Sequence, residues 1–321
     1  LDTQDQPEDK YPLGINFCNS CSHTQLTVAV DPDKLFRNYL YVSGTTKTLR
    51  DYFEWFVYFT SKYTDGKKVL DIACNDGTQL DYYKAKGFET FGIDPARNLH
   101  EVSSKKHDVV LDYFPSPHLT GKYDVITAQN VFAHNTYPLD FLKECKKLIN
   151  DDGAIFIQTS QADMIRNNEF DTIYHEHISF FSVKSFCTLA KRAGLNVIDV
   201  ARTPVHGTSF VFVLSPTKPD RSEELIAHEI ELTYFKMLKY AIACKSITNQ
   251  TNEAIKQLRQ DGYKVIGYGA AAKGNTFQNF AKFELDYIID ENPLKQGKFV
   301  PGSRTPILSL DVLKNEDGKL C

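Results

Sequence analysis

The sequence predicts two consecutive α/β domains preceded by a small cysteine-bearing segment. Three observations lead there. From Lys67 onward, short buried strands, loops and helices alternate, which indicates a parallel sheet covered on both faces. The strands of that region end in acids and amides, namely Asp71, Asp94, Asp112 and Gln129. Much later, a second strand enters a glycine-rich turn at Gly267-Tyr268-Gly269. With 321 residues, 42% of them hydrophobic, the chain can fill two cores.

Bulk properties exclude several classes. The net charge is -4 and no Lys/Arg run exceeds a pair, so nucleic acid is not an expected partner. No apolar run approaches the roughly 18 residues of a membrane span. The first dozen residues are polar and acidic, unlike a signal peptide. Seven cysteines, scattered but for one pair, fit reduced thiols in a cytoplasmic enzyme, and a monomer is expected. The chain begins at Leu1 rather than Met, which suggests a fragment or a processed product.

Taken in order, Cys18-Asn19-Ser20-Cys21 offers two thiols where structural zinc needs four ligands. No second CxxC exists; His23 is one extra candidate ligand, and two plain reduced cysteines are the alternative. Tyr39 and Tyr41 alternate ahead of Ser43-Gly44, either as an amphipathic strand or as a pocket wall carrying phenols. Asp51 to Tyr63 reads as a helix with Phe53, Phe56, Val57 and Phe59 buried. Then come the strand Val69–Ala73, the loop Cys74-Asn75-Asp76-Gly77 and a helix from Thr78 to Lys86, closed by Gly87. Strands are expected at Thr90–Ile93 and up to Asp112, then from Tyr123 to Ala128, ending at Gln129-Asn130. Pro138–Ile149 reads as helix and Ala154–Thr159 as strand.

Past the cluster Tyr174-His175-Glu176-His177, a helix spans Ser185 to Ala193, and strands span Leu195–Val200 and Ser209–Leu214. Ser222 to Gln260 lacks Gly and Pro and reads as one long or once-broken helix. Leu225, Leu232, Phe235 and Ile242 give it an apolar stripe, which reads as core packing. Gly267, Gly269 and Ala272 fit G-x-G-x-x-G/A between a strand and a helix, with an acid about 20 residues on. That turn and Lys273 suit a phosphate or diphosphate.

In parallel sheets ligands sit at the carboxyl ends of the strands. Asp94, ending the second strand, suits ribose hydroxyls, and Asp76-Gly77 lets backbone approach a small ligand. The first loop lacks G-x-G-x-x-G, and its acids would repel a pyrophosphate, so a cationic adenosine such as S-adenosylmethionine fits better. Here the chain resembles the class I methyltransferases, with Ala73, Asn75 and Gly77 at the three glycine positions of their loop. Asp71, Ala73, Asn75, Asp76, Gly77, Asp94, Asp112, Gln129 and Asn130 are the candidate cofactor residues.

Taken together, Cys18-x-x-Cys21, Tyr39-x-Tyr41-x-Ser43, Asp71 to Gly77, Tyr174 to Ser182, Gly267 to Asn279 and Asn292 to Gly297 resemble the sugar C-methyltransferases. These act on nucleotide-linked deoxy-keto-sugars. The resemblance implies a zinc-binding-type module over 1–45, partial here, and a class I methyltransferase-like domain over 46–182. A Rossmann-like domain over 183–321 would bind the sugar nucleotide (dTDP- or UDP-type), its last strand apparently missing. Zinc would require a further ligand pair upstream. His206, Tyr268, Gly269, Lys273, Gly274 and Asn275 are the candidate substrate contacts.

Methylating carbon beside a ketone needs a base, a stabilised enolate oxygen and in-line placement of the methyl donor. A histidine titrating near neutrality suits the base. The resemblance puts that role on His177, with Tyr174 and Glu176 beside it and Tyr39 or Tyr41 across the pocket. His175 would point away if the segment is extended. A metal at His175-Glu176-His177 lacks the helical H-E-x-x-H spacing. The rival readings are an NAD-dependent sugar-nucleotide dehydrogenase or epimerase using Gly267-x-Gly269, and an inactive methyltransferase-fold binding protein.

Overall fold

The computed structural model describes residues 1–37, 42–45, 47–161, 163–205, 207–315 and 318–321. Tyr39, Tyr41 and His206 therefore lie outside the described residues. The chain forms two compact units. One comprises Gly14–Asp163 and His175–Thr233; the other comprises Leu1–Leu13, Met164–Tyr174 and Tyr234–Cys321.

The first unit is built on seven strands: β1 (Lys68–Ile72), β2 (Glu89–Ile93), β3 (Asp108–Val110), β4 (Tyr123–Gln129), β5 (Ile149–Thr159), β6 (Asn196–Thr203) and β7 (Ser209–Ser215). Their spatial order is 3-2-1-4-5-7-6. Strands β1 to β5 pair in parallel, while β7 runs antiparallel between β5 and β6. Successive side chains of each strand point to opposite faces, and both faces are buried, so each strand feeds two cores. Leu70, Ile72, Ile126, Ala128, Ile155, Ile157, Phe210 and Phe212 fill one face. Val69, Val125, Ala154, Phe156, Val211 and Val213 fill the other, under Phe53, Phe56 and Val57 of the helix Lys47–Thr60. The helix Val183–Ala193 closes the first face, its Phe186 ring stacked on Phe212 at 3.7 Å.

Because β6 and β7 complete this sheet, residues 183–233 belong with the first unit, and its boundary falls at 233 instead of the expected 182. The segment 1–45 is also divided. Residues 14–45 join the first unit, where the hairpin Ile15–Phe17/Thr24–Leu26 pairs antiparallel with Ser179–Phe180. That pairing anchors the chain two residues after His177.

In the second unit, Gly267–Tyr268, Ile288–Ile289 and Ile307–Leu308 form a three-stranded parallel sheet, and Tyr263–Lys264 pairs with Lys319–Leu320. A Cβ on Gly267 would sit 2.9 Å from Ile288 Cγ1 and 3.0 Å from Leu285 Cδ1, so these side chains pack into the space the glycine leaves. The long helical stretch is broken once, into Ser222–Ala227 and Tyr234–Gln260. The apolar stripe expected there is core only in part: Leu225 packs against the first unit's core and Leu232 is half-buried, but the rest faces outward. Phe235 and Ile242 are 62% and 60% exposed, and the buried face carries Met237, Tyr240, Cys244 and Thr248. Those four repeat at three- and four-residue intervals and so share one side of the helix. Phe235 lies on another side, under the Lys239 ammonium.

Phe212→Ala should remove a fully buried ring from the centre of the first sheet and cost about 3–5 kcal/mol. Chemical denaturation checks this, and a loss under ~1 kcal/mol would contradict the described packing.

Candidate active site

The loop after β1 holds the first half of the site. Ala73, Asn75 and Gly77 all adopt left-handed backbone, with φ of 59°, 54° and 79°. These are the three positions at which the class I loop has glycines, yet only one is glycine here. Each non-glycine residue so held costs about 1–3 kcal/mol and needs external support. Asp94 supplies part of it, accepting the Asn75 amide at 2.9 Å and the Ala96 amide at 2.8 Å. Asn75 Oδ1 accepts the Asp76 amide, and Asp76 Oδ1 accepts the amide of Thr78, which opens the helix Thr78–Ala85. Gly77 packs on His107, whose Cδ2 would lie 2.9 Å from an added Cβ. Cys74 Sγ would lie 2.6 Å from a Cβ on Gly92, so loop and β2 touch.

Asp71 and Asp94 stand together at these strand ends, both buried. Burial pushes the Asp71 carboxyl up to about 7, against the hydrogen bond from Thr127 (2.6 Å) and with the help of the Asp94 charge. Burial likewise raises Asp94, opposed by the amides of Ala96 and Asn75. Asp112 lies just beyond β3, its oxygens taken by the Tyr113 amide and the Ser116 hydroxyl. Gln129 donates to Gln79, and Asn130 (φ 54°) donates to Gln158. Among the described residues, the buried oxygens Gln129 Oε1 and Asn130 Oδ1 have no hydrogen-bond partner. All nine candidate cofactor residues thus gather at the carboxyl end of one sheet.

His177 lies in the same unit, buried, directly after a turn at His175–Glu176 that replaces the expected extended segment; the strand begins only at Ser179. The alternation argument that turned His175 away therefore does not apply. Two neighbours of His177 had no sequence signal. His134 stacks on it with ring centroids 5.3 Å apart, and Phe36 stacks in turn on His134 at 5.5 Å. Burial, with the nearby His177, lowers His134 to about 3, so it is neutral. The Gln161 amide nitrogen lies 3.0 Å from His177 Nδ1. Gln161 is itself buried, left-handed at φ 75°, and its Oε1 has no hydrogen-bond partner among the described residues. Only a strained, buried amide beside a histidine marks it, and that is visible in three dimensions alone. Glu176 is half-buried in the same turn, and Tyr174 ends the other unit's segment 164–174.

Cys18 and Cys21 occupy a tight knuckle, with the Ser22 amide on Cys18 O and the Cys18 amide on His23 O. Backbone amides of Cys21 and Ser20 lower the Cys18 thiol, whereas burial raises Cys21. His23 does not extend this pair into a ligand set. Its ring packs on Phe181 at 4.9 Å, and burial lowers it to about 4. No group of three or more metal-binding side chains occurs among the described residues, so these residues do not complete a tetrahedral zinc site.

In the second unit, Gly269 is left-handed at φ 90° and its amide bonds Ile289 O. Asp290, the acid about 20 residues on, braces this turn: it accepts the Ala270 amide at 2.8 Å and the Lys295 ammonium at 3.1 Å. Burial pushes its carboxyl up, but the Asn292 amide and Lys295 outweigh that and hold it below the usual range. Tyr268 bonds Glu291, and Asn275 accepts from Asn279. Lys273 and Gly274 lie in the first turn of the helix Ala272–Ala281.

A sheet of order 3-2-1-4-5-7-6, with a left-handed loop after β1 and acids on the next strand ends, defines a class I methyltransferase. Residues 46–200 match the family described as methyltransferase domain, and residues 204–320 match the C-methyltransferase C-terminal domain. Over 327 residues the chain is 31% identical to C-methyltransferase NovU of Streptomyces niveus, covering 94% of this chain and 77% of that protein. The chain belongs to the S-adenosylmethionine-dependent C-methyltransferase family. A ubiquinone biosynthesis O-methyltransferase of Glaesserella parasuis is also 31% identical, over 29% of this chain and 45% of its own length. Among solved structures, a methyltransferase from Clostridium acetobutylicum superposes with a TM-score of 0.44 at 10% identity, covering 53% of this chain and 92% of that one. No helix among the described residues is long and apolar enough to cross a membrane.

The Asp71 carboxyl sets a pH dependence. Its folded pKa of about 7 exceeds the ordinary 3.8, so the folded state binds this proton more tightly. Its contribution to stability is full below the ordinary value and is lost as pH rises through the folded one. Asp71→Asn should therefore raise Tm at about pH 8 and leave it nearly unchanged at about pH 4; equal shifts at both would refute the assignment.

Proposed function

We propose that this enzyme methylates a carbon next to the ketone of a nucleotide-linked deoxy-keto-sugar through an enolate, with His177 as base. The observation that carries this is the buried His177 imidazole, stacked on neutral His134. Because His134 is neutral, it sets no cation against the proton that His177 takes up. His177 would remove the α-proton and leave a nucleophilic enolate carbon, and bound S-adenosylmethionine would supply the methyl group that this carbon takes. The proton then passes from His177 to solvent. Tyr174, Tyr39 or Tyr41 would donate to the enolate oxygen, and Glu176 would orient the ring or bind a sugar hydroxyl.

S-adenosylmethionine supplies the electrophilic methyl group; Asp94 would hold its ribose and the loop from Ala73 to Gly77 its amino-acid end. Asp71, Asp112, Gln129 and Asn130 would complete that pocket. The turn Tyr268-Gly269 with Lys273, Gly274 and Asn275, and His206, would hold the dTDP- or UDP-type diphosphate. Zinc at Cys18 and Cys21 belongs to this reading only if further ligands join them. A monomeric cytoplasmic enzyme fits the same picture.

Asp94→Ala should lose about 1–3 kcal/mol of S-adenosylhomocysteine affinity by calorimetry; unchanged affinity would reject its role. His177→Asn should keep the fold and slow exchange of the substrate α-proton into deuterated water by about 10²–10⁴-fold. Mass spectrometry with S-adenosylhomocysteine bound isolates that step. Exchange at the wild-type rate in His177→Asn but not in Glu176→Gln would move the base to Glu176.

A further inference from the structure

Ser43 and Gly44 are not obvious members of a cofactor site. They form a single 3₁₀ turn, Ser43–Thr45, ahead of the helix Lys47–Thr60. Yet the Ser43 amide donates to Asn75 Oδ1 at 3.0 Å, and the Gly44 amide donates to Asp76 Oδ2 at 3.1 Å. Arg50 Nη1 holds the Gly44 carbonyl at 2.8 Å. Both side-chain acceptors belong to the loop whose Ala73 and Asn75 are left-handed without being glycine. Its polar side chains thus turn towards this backbone, which helps to hold the loop in its strained form.

The approach is close enough that any larger residue at 44 would have to displace the side chains of Thr78 and Asp76. A Cβ on Gly44 would lie 2.4 Å from Thr78 Oγ1 and 2.7 Å from Asp76 Oδ2. No positive φ is involved, so the constraint is one of space alone.

We propose that Ser43–Gly44 is a backbone latch on the S-adenosylmethionine loop, and that Gly44 is a positioning residue whose seating and cofactor binding form one equilibrium. The latch preorganises a loop that lacks the usual glycines, so opening it lowers the fraction of chains able to bind. It also fixes the chain two residues after Tyr41, a candidate enolate donor. The inference rests on the reading that residues 73–77 line the cofactor site.

Calorimetry with S-adenosylhomocysteine on the full chain tests it, using Gly44→Ala, Gly44→Ala with Thr78→Ala, and Asp94→Ala. Gly44→Ala should weaken binding by about tenfold or more. The double variant removes the nearer clash, and should recover most of that loss, which a general folding defect would not. Hydrogen exchange of the wild type adds a readout free of mutation: the ligand should slow exchange of the Ser43 and Gly44 amides. Wild-type affinity in Gly44→Ala beside a weakened Asp94→Ala overturns the latch and leaves the cofactor site standing. Unchanged affinity in both overturns both. A double variant as weak as the single one, or amide exchange indifferent to bound ligand, also overturns the latch.

Discussion

Two residues that are not glycine, Ala73 and Asn75, turn left-handed where the chain leaves β1, and the first unit is arranged to keep them so. Asp94 commits both carboxylate oxygens to backbone amides, one of them Asn75's. Cys74 is pressed on Gly92 and Gly77 on His107, so the loop is held from β2 and from the His107 ring. The same packing buries Asp71 and Asp94 and raises both carboxyls. A buried acidic floor of this kind disfavours a pyrophosphate and favours a cationic ligand, in keeping with a sulfonium.

The histidine half of the site obeys a different constraint. Its residues sit on and just after a turn, and such irregular segments hold a fixed geometry only when their flanks are tied down. Here Ser179–Phe180 is tied by the hairpin that carries Cys18 and Cys21. Phe36 stacks on His134 and His134 on His177, which sets the plane of the imidazole through ring contacts. The cysteine segment therefore has a mechanical role in the first unit, because its hairpin ties down Ser179–Phe180.

Much of this was legible from residues alone. Buried runs such as Val69–Ile72 and Tyr123–Ala128 marked the strands, because a strand covered on both faces has few polar residues. The acids at Asp71 and Asp94 and the departures at Ala73 and Asn75 marked the candidate cofactor loop, whose left-handed backbone the structure shows. The helix after Ser222 misled, since a three-and-four spacing picks out a stripe but not the side that faces the core. Phe235 and Ile242 belong to one stripe, Met237 and Tyr240 to another. His134 and Gln161 could not have been found by spacing, for they lie 43 and 16 residues from His177 and meet it only through the order of β4 and β5.

The central claim is that the strained loop after β1 is the preformed cofactor site. A crystal structure of the S-adenosylhomocysteine complex tests it most directly. The account predicts the ribose hydroxyls within hydrogen-bond distance of Asp94, with Ala73, Asn75 and Gly77 still left-handed. Ligand bound elsewhere, or a loop that abandons that conformation to admit it, would contradict the account.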